Sequence, residues 1–141
     1  MQRQIEMLSR LAALRSAKVQ QIMARLQYQR NLCQRYRNNI EGLRRLGNVQ
    51  APLDNALQRD NLQRYKTPLY RLLQLQQRAL AVAEETLARV QRELLQAMRK
   101  EKVMKHVVAS KLEEWQRLLA RQEQKLQDGM AAQAWWRNQL G

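Results

Sequence analysis

Metal ligation, nucleophilic attack and proton transfer all need particular side chains brought close together, and this sequence offers few of them. It has one histidine, His106, and one cysteine, Cys33. A metal site needs several ligands, and one imidazole with one distant thiol does not supply them. Glu84-Glu85 and Glu113-Glu114 resemble acid/base pairs, but neighbours on a helix point about 100° apart and do not face each other. The glycines stand at 42, 47, 129 and 141, so no glycine-rich phosphate loop can form. No catalytic residue, metal ligand or cofactor site is expected, and the chain reads as a non-enzyme. The single cysteine excludes an internal disulfide and points to a reducing compartment.

The remaining chemistry is charge and aromatic surface. The 141 residues carry a formal net charge of +14, which favours acidic partners. Lys and Arg are spread along the chain, and the densest patch is Arg99-Lys100-Glu101-Lys102 with Lys105. A leucine-zipper DNA reader places a dense basic block ahead of its heptads, and none is present here. No nucleic acid and no small-molecule substrate are expected. Tyr65, Tyr70, Trp135 and Trp136 belong to types enriched in protein interfaces, although aromatics can also close the ends of a helical seam.

These residues must be positioned by helices. The chain has no Phe, four Gly and two Pro, and is rich in Leu, Gln, Arg, Ala and Glu. From Ile5 to Leu43 one heptad register holds. Its a positions are Ile5, Ala12, Val19, Leu26, Cys33 and Ile40. Its d positions are Leu8, Arg15, Ile22, Gln29, Tyr36 and Leu43. Leu11, Leu32 and Leu46 widen this stripe on the g side. Such a run asks for a partner helix in a supercoil. Cys33 then reads as a small buried apolar residue and His106 as an outer-face residue.

Gly47 and Pro52 interrupt the pattern, with Gly47 suited to a left-handed helix cap. Two restart signals follow and leave the second helix's start open. Asp60 with Gln63 reads as a capping box, and Thr67-Pro68 as an N-cap with Pro in the first turn. A second register places Leu73, Leu80, Leu87, Leu94, Glu101 and Val108 at a. It places Leu69, Gln76, Ala83, Val90, Ala97 and Met104 at d. Steps from Met104 to Val108 to Leu112 predict a stutter, and Gly129 can end or weaken the helix.

Two runs joined by one short connection pack most economically as an antiparallel pair. The expected fold class is all-α, a long antiparallel two-helix coiled-coil hairpin. It is one coiled-coil domain over 1–141, with helix 1 at about 3–46, the connection at about 47–59 and helix 2 at about 60–138. The first helix would be roughly 65 Å long and the second about 90 Å or more. The second therefore overhangs, leaving Trp135, Trp136 and Leu140 uncovered. No long apolar run follows the opening Met1-Gln2-Arg3-Gln4, so neither a signal peptide nor a membrane span is expected.

Two stretches carry a family resemblance. Asn61-Leu62-Gln63-Arg64-Tyr65, followed by Leu69, resembles a block opening the second helix in the FliJ family of the flagellar export apparatus and its YscO-type injectisome counterparts. Leu62 stands where that family usually has its first aromatic. Trp115-Gln116-Arg117-Leu118-Leu119-Ala120-Arg121-Gln122 is similar to a second family segment. The family's usual Lys-x-x-Asp-Glu ending is replaced by Asp128-Gly129-Met130 and Trp135-Trp136.

The resemblance implies a type III export stalk supporting motility. It would be cytoplasmic, peripheral on the cytoplasmic face of the inner membrane, and a monomer when free. Its implied partners are the export ATPase ring, the export gate membrane protein and export chaperones. It also implies that Tyr36, Tyr65, Leu69, Leu72 and Gln76 contact the export gate. A generic scaffolding coiled coil is the alternative of a different class, the injectisome counterpart is a second alternative, and a nucleic-acid-binding helical protein is a more distant third. If the hairpin is right, cysteines introduced near Leu43 and near Leu73 will cross-link within one chain, as read by mass on a denaturing gel. Cross-links formed only between chains would exclude it.

Overall fold

The computed structural model describes residues 1–48 and 56–140. Two helices account for nearly all of them: α1, Gln2–Gly47, and α2, Ala56–Leu140. No strand occurs among the described residues. The expected break at Pro52 lies outside them.

Gly47 does not form the left-handed cap expected from its type. No glycine among the described residues has positive φ, and the Asn48 amide donates to the Arg44 carbonyl at 3.0 Å. That bond repeats the helical pattern one residue further, so no reversal is needed to satisfy Arg44. Arg44 and Arg45 in the last turn complement the negative end of the helix dipole.

α2 begins ahead of both restart signals. Asp60 therefore lies within the helix and does not cap it. Thr67 Oγ1 donates back to the Gln63 carbonyl at 3.0 Å, the habit of a mid-helix threonine. Pro68 follows inside the helix, where its missing N–H removes one bond of the ladder. Gly129 is likewise interior, and α2 runs through it to Leu140.

The helices form two units. One joins 20–47 of α1 to 56–96 of α2. Ile22, Leu26, Cys33 and Ile40 are buried there against Ala83 and Val90. The direction follows from cross-helix contacts: Arg25 meets Glu93, Arg37 meets Glu84, and Asn39 meets Gln76. Numbers rise on one helix as they fall on the other, so the pair is antiparallel. The fold is thus an all-α antiparallel two-helix coiled coil. The small d residues Ala83 and Val90 are fully covered, while Leu73, Leu80, Leu87 and Leu94 at a are half-buried. Small side chains facing the partner let the two backbones approach, which moves the larger leucines towards the flanks.

The other unit joins 1–19 to 97–140. Val19 and Ala97 are its buried residues. Ile5, Leu8, Ala12 and Arg15 on α1, and Met104, Val108 and Trp115 on α2, are half-buried. The expected stutter at Met104–Val108–Leu112 is not the path of the seam. Leu112 is exposed and Lys111 is half-buried in its place, which keeps the heptad register as far as Trp115. The Lys111 stem covers apolar surface while its amine reaches Glu114 at 3.4 Å. Beyond Trp115 every residue from 116 to 140 is exposed, including Trp135, Trp136 and Leu140.

Two substitutions test the seam. Leu26→Ala and Leu87→Ala will each destabilise the chain by about 2–5 kcal/mol where the site is fully packed, with half-buried Leu87 nearer the low end. Changes below about 0.5 kcal/mol at both, in urea unfolding followed by circular dichroism, would mean the register is misread. A third substitution concerns Gln29 at d, whose Oε1 is buried with no hydrogen-bond partner. An unpaired buried amide oxygen costs about 1–3 kcal/mol, so Gln29→Leu will raise the unfolding midpoint. A lowered midpoint would show that this amide is satisfied in solution.

Candidate functional site

The chemistry expected to be absent from catalysis has structural employment. Cys33 is 0% exposed at its a position. Glu84 pairs with Arg37 at 3.2 Å across the seam, while Glu113 pairs with Arg117 at 2.7 Å along α2. Glu114 turns to Lys111 instead, so this doublet diverges. No cluster of three or more His, Cys, Asp or Glu side chains able to hold a metal occurs among the described residues. His106 is exposed on the outer face.

The partner-binding candidates all fall in the unit spanning 20–96. Tyr65, Leu69, Leu72 and Gln76 recur at steps of four, three and four, which places them on one stripe of α2. Leu69 and Gln76 are half-buried at d, and Tyr36 is half-buried at d of α1, so these three belong to the seam. Tyr65 and Leu72 are 49% and 48% exposed. Both occupy g positions, one heptad apart.

That g position explains how the surface is built. In an antiparallel pair the g positions of the two helices share one flank of the seam and the e positions share the other. The e flank carries Arg37–Glu84. The g flank carries Arg25–Glu93 at 2.9 Å near the 20/96 end of this unit. Closer to the connection its chemistry changes. Asn39 Nδ2 donates to Gln76 Oε1 at 3.2 Å, and beyond it Leu46 and Leu72 border a common groove. The groove has a volume of about 360 Å³ and is also lined by Asn38, Gly42 and Leu43. Gly42 has nothing within 4 Å of the place a Cβ would take, which keeps its floor open. Leu46 is 46% exposed.

A flank that closes with an ion pair at one level is therefore open and apolar at another. Exposed leucines and a tyrosine beside an antiparallel seam suit a protein partner that inserts apolar side chains. Leu46 and Asn39 are part of this surface, although sequence reasoning took Leu46 only as a widening of the stripe. The signal that finds them is the matching of g positions across the seam, and that needs the pairing of the helices.

The chain matches the flagellar FliJ protein family over residues 4–140. It belongs to the FliJ family. No individual relative of known function and no solved structure matches the chain. Membership makes this FliJ protein a component of the flagellar protein export apparatus, a structural one of helical coiled-coil type that works with other components of that apparatus. The match is to the flagellar family, which decides between the flagellar and injectisome readings. No helix among the described residues is long and apolar enough to cross a membrane.

Proposed function

We propose that this FliJ protein is a non-enzymatic stalk that couples the export ATPase ring to the export gate and handles emptied export chaperones, in the cytoplasm at the face of the inner membrane. Membership of the family over residues 4–140 supports the apparatus, and the open apolar g flank is the observation that carries the finer reading. A net charge of +14 suits a ring with an acidic lumen, since a basic coiled coil entering it gains from opposite charge. Two long helices paired along a seam can transmit position and torque. Hydrolysis belongs to the ring and the mechanical link to this chain.

In this reading the export gate contacts Tyr65 and Leu72 directly, with Leu69, Tyr36 and Gln76 holding the stripe in place from within the seam. Exposed apolar side chains without intramolecular work are the natural anchors for a partner. Tyr65→Ala combined with Leu72→Ala will abolish export and swimming in a complementation assay while leaving helicity and melting temperature almost unchanged. Both side chains are about half exposed, so truncation leaves no cavity in the seam. Normal secretion by a stably folded double variant would overturn this surface assignment. A large loss of melting temperature would instead place the two residues among those holding the helices together.

A further inference from the structure

The segment of α2 beyond Trp115 is the part of the molecule that the proposed gate contact leaves unused. All of 116–140 is exposed, yet it is not uniformly polar. Leu119, Gln122, Leu126, Gln133, Trp136 and Leu140 follow steps of three and four residues, with Gly129 completing the series. These steps put them on one face of the helix. Beyond Trp115, Gln122, Gly129 and Trp136 continue the a positions of the hairpin register while Leu119, Leu126, Gln133 and Leu140 fall at e, so the stripe is turned towards one flank of the hairpin seam. No residue of α1 covers it, since every residue from 116 to 140 is exposed.

We propose that this stripe is a self-association surface, on which the same segment of a second copy of the chain packs antiparallel. The order of residues along it carries the choice of occupant. Reversed against itself about a two-fold axis, the stripe sets Leu119 opposite Trp136 of the second copy and Leu126 opposite Gly129 of the second copy. Gln122 falls opposite Gln133 of the second copy. Large meets small where the glycine leaves a hole, and amide meets amide where Gln122 faces Gln133. By two-fold symmetry each match is made twice.

A parallel arrangement would oppose Trp136 to Trp136 and Gly129 to Gly129, which crowds one layer and empties another. The flank agrees: Glu123 and Arg137 lie on the same side and approach with opposite charge across the axis. Among the described residues neither takes part in an ion pair within the chain. A lipid surface fits less well, because the amides of Gln122 and Gln133 lie at the centre of the apolar face, where immersion leaves them unpaired. Paired across a helical seam, they are satisfied.

The stripe spans only about three heptads, so the association is weak and the free chain is a monomer at low concentration. Two chains of charge +14 also repel, so pairing strengthens as salt screens that repulsion. Binding to anionic lipid or to an acidic protein would weaken instead. Sedimentation equilibrium of the full chain from micromolar to millimolar concentration will fit a monomer–dimer equilibrium that tightens with salt. Leu119→Asp with Trp136→Asp will remain a monomer throughout, with unchanged melting temperature because both side chains lie outside the hairpin seam. In a Cys33→Ala background, a mixture of Gln122→Cys and Gln133→Cys chains will form a disulfide-linked pair that neither variant forms alone. A monomer persisting to millimolar concentration would overturn the proposal. So would dimers of the double aspartate variant, a linked pair from Gln122→Cys alone, or binding to phosphatidylglycerol vesicles by a chain that stays monomeric.

Discussion

Neither α1 nor the part of α2 up to Trp115 buries its apolar stripe except against the other. A globular domain spreads its interior over several layers. Here the interior among the described residues is made of side chains facing from one helix to the other, buried most completely at Val19, Ile22, Cys33, Ile40, Ala83 and Val90. Each of these side chains has partners on one opposing helix only. The seam therefore depends on phase: a heptad keeps the stripe facing the partner as the helices wind, and a residue out of phase is lost to solvent. Lys111 and Leu112 illustrate how strict this is. The lysine holds the inward position and is half-buried, and the leucine beside it is exposed.

That constraint also decides where function can be placed. Side chains at a and d are committed to holding the helices together, so a partner has to be met by the flanks or by uncovered helix. Arg25–Glu93 and Arg37–Glu84 bridge the flanks at side-chain exposures near one half. Exposed pairs of this kind contribute only about 0.2–1 kcal/mol each, so they specify direction and pairing more than stability. Where the g flank changes from charge to Leu46, Leu72 and Tyr65, the hairpin exposes an apolar edge without disturbing its seam. Gln29 and Gln76 show that the seam tolerates amides at d. Gln76 is satisfied by Asn39, and Gln29 retains an unpaired oxygen.

Much of this was legible in the sequence because one helix's periodicity reports which of its faces the partner covers. Every a and d position from Ile5 to Leu43 is buried or half-buried, including Arg15 and Gln29, which look wrong by type. The exposure of Tyr65 and Leu72 also follows from their lying outside a and d. Other features were hidden for physical reasons. Asp60–Gln63 and Thr67–Pro68 have the composition of helix starts, but a capping residue contributes about 1 kcal/mol, and α2 continues past both to Ala56. Burial of Lys111 was invisible because its type advertises a charge while its stem does the packing. The groove between Leu46 and Leu72 needs the matching of the two helices, which no single-helix pattern contains.

The order of α2 up to Trp115 comes from its contact with α1, whereas the segment beyond has no such support. Amide hydrogen exchange, measured at micromolar concentration so that chains remain separate, reads this residue by residue, because protection reports local opening. Protection will be strong and cooperative around Ile22–Ile40 and Ala83–Ala97, and exchange will be fast from Gln116 to Leu140. Protection of 116–140 equal to that of Ala83–Ala97 in the monomer, or fast exchange throughout α1, would contradict it.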